Sequence, residues 1–429
     1  MSRGRTVVVT LLAIAALALP AAATAAPPPP AEPSAPYRVE GADTPGKRTV
    51  VARSGVDVLT GGRDAFEVRA TGAQADRLRA AGFELRPLPE PPAPPFAGPD
   101  RFPPGFGAYH TYDELGVELA VLAAVQPDIV RVSSYGTSSE GRALPLVKIS
   151  DAVATDEAEP EVLFSCAQHA REHLTIEMCL HIITRLTEGH GTDPALTALV
   201  DSREVWVMPM TNPDGAEFDI ATGTFALWRK NRQPTPGSLA IGTDPNRNWG
   251  TQWGCCGGSS ASPFADDYRG PAPFSAPETA QIRDWVGSRV IGGEQQITAH
   301  IDWHAFSELV LWPYAFTESD STESDTAPGL DAEAAATFRA LGEAMAATNG
   351  YTPQQSSDFY VTDGSVNDWM WAEHGIWSYT FEMYPPSQEQ GGFYPTDNVI
   401  DQQTSRNDTA VDLLLGYADC VPRIIGVTC

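Results

Sequence analysis

Residues 161–189 read EVLFSCAQHAREHLTIEMCLHIITRLTEG: an apolar run of strand length, a short polar turn, then a stretch with helical character. Glu161 to Cys166 is nearly continuously apolar, as strands buried on both faces of a sheet are. Further runs of the same kind follow or precede it: IVRVSSYG, LPLVKIS, EVWVMPM, ITAHIDW and IWSYTFE. They alternate with helical stretches such as TYDELGVELAVLAAVQP, which opens on a Thr111–Glu114 capping box and puts Tyr112, Leu115, Leu119 and Leu122 on one face. APETAQIRDWVGSRV is another. The alternation predicts an α/β fold with a mixed, mostly parallel central sheet and helices on both faces. Functional groups then gather where strands end.

The turn after Cys166 holds His169, Glu172 and His173. A catalytic zinc takes three protein ligands and keeps one position open, two histidines and a glutamate being one known set. Two readings compete. In one, His169 and His173 are ligands on a helix and Glu172 is the base, the H-x-x-E-H pattern of inverzincin endopeptidases. In the other, His169 and Glu172 are both ligands in the strand-to-helix turn, and a distant histidine completes the set. The strand runs up to Cys166, which favours the second. ITAHIDWHAFSELVLWPY offers His300 and His304. Four strand residues span about 13 Å, so only one of them reaches a given ion; His304, at the end of the run, is better placed.

Composition narrows the setting. Acidic residues outnumber basic ones 55 to 28, a formal charge of −27, which repels phosphate backbones and anionic lipids. Nucleic acid and membrane surfaces are therefore unfavourable partners. Residues 1–26 start with Arg3 and Arg5, run apolar from Val7 to Leu19 and end in small residues. That is the pattern of a signal peptide, and the apolar run is shorter than the ~20 residues a span needs; secretion is expected. In an exported chain the six cysteines read as disulfides. Cys420 pairs with Cys429; adjacent Cys255 and Cys256 are each expected to seek a distant partner. Residues 27–88 suggest a small α+β module: TVVARSGVDVL, AFEVRA and FELRPL read as strands and GAQADRLRAAG as a helix. Nine prolines between Pro87 and Pro104 make 89–107 an exposed tether, leaving 108–429 as the main domain.

HARE, NPDG, LWRKNR, DPNRNW, HAFSELVLWPY, FYVTDGSVNDW and YTFEMYP occur together in an order and spacing that resembles the carboxypeptidase A/B-type zinc metallocarboxypeptidases, the funnelins, over roughly Tyr109 to Tyr417. The resemblance implies one zinc ion held by His169, Glu172 and His304, with Asp244 orienting the first imidazole. It implies Glu382 as general base and Arg229 as the cation facing the carbonyl oxygen. Asn246 and Arg247 would bind the substrate's terminal carboxylate, Tyr360 would close over it, and Arg171 would touch substrate upstream. The pocket floor falls at Asn367, with Leu311, Ala315 and Thr380 as walls and Thr362, Asp363 and Ser365 nearby. A neutral floor favours apolar C-terminal residues, because a buried unpaired Lys or Arg costs several kcal/mol; a charged Asp363 leaves a mixed preference open.

By the same resemblance the small module looks like a propeptide cut free in the tether by an activating protease, and a monomer acting on peptides and proteins is expected. TESDSTESD offers oxygen ligands for calcium but lacks the EF-hand spacing and reads first as an acidic loop. Two rivals use the same metal: an amidase trimming cell-wall peptides, and an inverzincin-type endopeptidase.

Overall fold

The computed structural model describes residues 32–61, 66–90, 96, 98, 101–318 and 330–429. The signal-peptide segment lies outside these residues, as do part of the tether and most of the TESDSTESD stretch considered for calcium.

The N-terminal part is a four-stranded antiparallel sheet. Its strands are β1 (Ser34–Glu40), β2 (Asp57–Thr60), β3 (Glu67–Thr71) and β4 (Glu84–Pro87), in the order β2-β3-β1-β4. Two helices, α1 (Pro45–Ala52) and α2 (Gly72–Ala80), accompany it. The run TVVARSGVDVL is thus not all strand: Thr49 to Ala52 belong to α1. Thr44 caps that helix by accepting from the Lys47 N–H, and Pro45 sits in its first turn. That start signal outweighs the chance alternation of the valines.

The larger part is built on eight strands: β5 (Val130–Thr137), β6 (Ala143–Ile149), β7 (Glu161–Cys166), β8 (Glu204–Met208), β11 (Ile297–Ala305), β12 (Leu309–Trp312), β13 (Thr352–Gln355) and β14 (Trp377–Met383). A two-residue hairpin, β9 (Val290–Ile291) with β10 (Glu294–Gln295), precedes β11. The order is β13-β12-β14-β11-β7-β8-β6-β5. The central strands β14, β11, β7 and β8 run parallel, flanked by antiparallel pairings on both sides. The sheet is mixed, as the apolar runs predict.

Period-two alternation gives each face its own core. Val162, Phe164, Val205 and Val207 pack with Ile176, Ile182, Ile183 and Leu186 of α4 (Leu174–Gly189), while Leu163, Met208, Ile282 and Trp369 pack on the other side. Helix α3 (Tyr112–Val125) carries both bonds of its capping box and buries Leu115, Leu119 and Leu122, as read from its spacing. No helix among the described residues is long and apolar enough to cross a membrane.

Cys166 is bonded to Cys179 and Cys420 to Cys429. The expectation of distant partners for the adjacent pair does not hold: Cys255 is bonded to Cys256. The other four cysteines are consumed in local pairs. Gly254 and Gly257, with φ of 64° and 72°, supply the turns on either side that only glycine adopts freely.

Candidate metal centre and substrate cleft

The parallel ladders bring the site together. β11 pairs with β14 so that His304 lies opposite Glu382, and with β7 so that Trp303 lies opposite Cys166. The carboxyl ends of three neighbouring strands therefore share one level. Beyond Cys166 the chain turns at Ala167 (φ 58°) and reaches His169 and Glu172 before α4 begins at Leu174. The Thr175 hydroxyl ties this turn down by accepting from the Ala167 N–H at 3.0 Å.

His169, Glu172 and His304 are buried, with ligand atoms within 4.8 Å of one another. His169 Nδ1 is 2.8 Å from Glu172 Oε1, and His304 Nδ1 is 3.0 Å from both Glu172 Oε2 and His169 Nδ1. The far nitrogen of each ring meets a carboxylate: His169 Nε2 is 3.2 Å from Asp244 and His304 Nε2 is 2.5 Å from Asp302. Two imidazole nitrogens and one carboxylate, each imidazole braced from behind by an acid, is a donor set suited to zinc. Burial works against the Glu172 carboxylate, but the facing imidazoles of His169 and His304 outweigh it and hold it well below the usual range. The Ala305 N–H also donates to it at 3.1 Å.

His173 stands outside this group. Its Nε2 is 3.0 Å from Asp219, and Phe102, Phe225 and Tyr394 surround the ring. The H-x-x-E-H ligand reading is thereby set aside: helix α4 starts at Leu174, after both histidines, so the two do not share a helical face. His300 is a buried link in a polar chain. It lies 2.8 Å from both Ser165 and Ser378; Ser165 donates to Asp302 at 2.6 Å, and Ser378 donates to Asn367 at 2.7 Å. Asp302 is absent from the sequence reading, although a period of two places it on the face of His300 and His304.

Beside the triad opens a cleft lined by His169, Glu172, Arg229, Asn246, Arg247, Leu311, Ala315, Tyr360, Thr362, Ser365, Asn367, Thr380 and Glu382. Burial pushes the Glu382 carboxyl up to about 8, His304 pulling it down and Glu172 adding to the rise. Arg229 Nε donates to Asp244 at 2.9 Å. Burial disfavours its charge, but Asp244 more than offsets this and the guanidinium stays protonated. Arg247 donates to the Tyr360 hydroxyl at 3.1 Å and to the Asn246 carbonyl at 2.7 Å. Asn246 accepts from the Val366 N–H at 2.9 Å, and Asn367 donates to Thr380 at 2.8 Å. Asp363 is not among the lining residues; its carboxylate accepts from the loop 254–259 instead.

Arg171 makes a paired contact with Asp57 of β2, at 2.7 and 2.8 Å, and stacks 4.0 Å above the Phe393 ring. The next two residues of β2, Val58 and Leu59, line the cleft. Sequence reading offered no route to this contact, since nothing in Asp57 itself names its partner.

The family profile for zinc carboxypeptidases matches residues 117–410. A zinc carboxypeptidase of Saccharothrix mutabilis subsp. capreolus is 52% identical over 399 residues, 90% of each chain. Carboxypeptidase A2 of Rattus norvegicus is 33% identical over 278 residues, 65% of this chain and 63% of that one. The structure of carboxypeptidase A from Helicoverpa armigera superposes with a TM-score of 0.73 at 22% identity, over 90% of this chain and 97% of that one, a likeness of fold. With a profile spanning most of its length and relatives at this identity, the chain belongs to the zinc carboxypeptidase family and is a zinc metallocarboxypeptidase.

Proposed function

We propose that this chain is an exported exopeptidase that removes single apolar residues from the C-termini of peptides and proteins. The observation that supports it best is the meeting of His169, Glu172 and His304 with Glu382 in one cleft that also holds two arginines and Tyr360. Held by those three side chains, zinc would polarise a carbonyl and lower the pKa of a water toward ~7.

Every remaining task falls to the chain's own groups. Glu382 takes the water proton and hands it to the departing amine; the burial that raises its carboxyl makes it a stronger base than an exposed glutamate. Arg229, anchored through Nε by Asp244, presents its outer N–H groups to the carbonyl oxygen as charge builds there. Arg247 and Asn246 grip the substrate's terminal carboxylate, for which a planar guanidinium is well shaped. Tyr360, already bonded to Arg247, covers it. Asn367, bonded to Thr380, forms a neutral pocket floor, with Thr380, Leu311 and Ala315 as walls. With Asp363 engaged elsewhere, the mixed preference loses the carboxylate offered for it.

Residues 27–88 act as a propeptide. Asp57 occupies Arg171, the side chain assigned to upstream substrate, while Val58 and Leu59 sit in the cleft. Cleavage in the tether 89–107 by another protease would free it, and the released enzyme would work as a monomer outside the cell. The test is mass spectrometry of mixed peptides incubated with the processed chain, with and without a chelator. Stepwise single-residue losses of Phe, Tyr or Leu ends that stop with chelator support the reading; internal cuts, or products only from cell-wall peptides, refute it.

A further inference from the structure

We propose that Asp363 is a positioning residue for terminal-carboxylate recognition, acting on Arg247 through the loop that carries the Cys255–Cys256 disulfide. This rests on the carboxypeptidase reading above. Asp363 sits between two cleft residues, Thr362 and Ser365, yet it is fully buried and turned away from the cleft. Its carboxylate accepts the backbone N–H groups of Gly254 at 3.2 Å, Cys256 at 3.3 Å and Gly258 at 2.9 Å, and the Ser259 hydroxyl in a very close contact. One acid thus gathers four donors from residues 254–259, with the bonded cysteine pair inside the wrap. Arg269 braces the outer side by donating to the Ser259 carbonyl at 3.1 Å.

One carbonyl of the loop meets a cleft side chain. Gly258 C=O accepts from Arg247 Nε at 3.2 Å, while its own N–H is bonded to Asp363. Arg247 is otherwise tethered through Nη1 to its neighbour's carbonyl and through Nη2 to Tyr360. Together with these two tethers the Nε bond fixes the plane of the guanidinium, and plane decides whether two N–H groups meet both oxygens of a carboxylate. Gly258 also lies flush on the segment that carries Asp363, where a Cβ would run into the Thr362 backbone. Loop, guanidinium and the Tyr360-bearing segment are consequently one mechanical unit, with Asp363 at its buried end.

The experiment is steady-state kinetics on a blocked dipeptide with a free carboxylate, using the full chain after limited proteolysis, for wild type, Asp363→Asn, Arg247→Ala and the double variant. Asp363→Asn is expected to raise KM roughly tenfold, with kcat and bound zinc little changed, because only binding of the terminal carboxylate is lost. In the Arg247→Ala background the same change should have no further effect on kcat/KM. An unchanged KM, a fall in kcat with loss of zinc, or full additivity with Arg247→Ala overturns the proposal while leaving the carboxypeptidase reading intact. An Arg247→Ala variant with wild-type KM refutes that reading and the proposal with it. If Asp363→Asn does not fold, Ser259→Ala removes one of the four bonds and must raise KM in the same Arg247-dependent way; an unchanged KM there is equally decisive.

Discussion

His304 lies directly across a parallel ladder from Glu382, so an imidazole of the triad and a half-buried acid are held at one level by strand register alone. Glu382→Gln is expected to lower kcat by about 10²- to 10⁴-fold while zinc content stays the same. The metal-free chain should also show the acid in its stability. Burial raises the folded carboxyl to about 8 from an ordinary value near 4.5, so the folded state keeps a proton that the unfolded chain releases. The contribution is full below about pH 4.5 and is lost as pH climbs toward 8. Chelator-treated wild type should therefore lose melting temperature over that window more steeply than chelator-treated Glu382→Gln; parallel profiles would refute the assignment.

Asp302 stands 2.5 Å behind His304 and is itself held by Ser165. Such outer contacts orient a ligand and strengthen its basicity. Replacing Asp302 with Asn should weaken zinc roughly 10- to 100-fold in chelator competition, and His169→Ala should bind none. Zinc retained at full affinity in Asp302→Asn would show that the carboxylate braces nothing.

Arg229 should prove a turnover residue. Arg229→Ala is expected to cost about 10²- to 10³-fold in kcat with KM nearly constant. Lysine should rescue little, because a point charge cannot both hold Asp244 and face the carbonyl oxygen.

Asn367 faces the pocket between Ser378 and Thr380. An aspartate there would give a buried Lys or Arg end its partner. Asn367→Asp should shift preference toward basic C-terminal residues and away from Phe, read from initial rates on matched peptides.

The Asp57–Arg171 pair is buried and two-pronged, so losing one partner leaves a charge unpaired, a defect of about 3–5 kcal/mol. Asp57→Ala should raise the activity of the uncleaved chain. No gain over wild type would mean that the N-terminal sheet does not guard the cleft.

Local sequence was enough for the elements themselves, since continuous apolar runs, capping boxes and turn residues act over a few positions. It also narrowed the ligand search: a strand ending at Cys166 left His169 and Glu172 in a turn, and strand spacing allowed only one of His300 and His304. Where local signals collided, as between the Thr44 cap and the valine alternation, the sequence was readable but misread. What sequence could not decide was anything made by register or by loops meeting across the sheet. Trp303 stands level with Cys166, Asp57 reaches Arg171, and Asp363 turns from the pocket to gather the disulfide loop. Each joins residues over a hundred positions apart, and such contacts exist only once the strands have paired and their side chains have lost the choice of other partners.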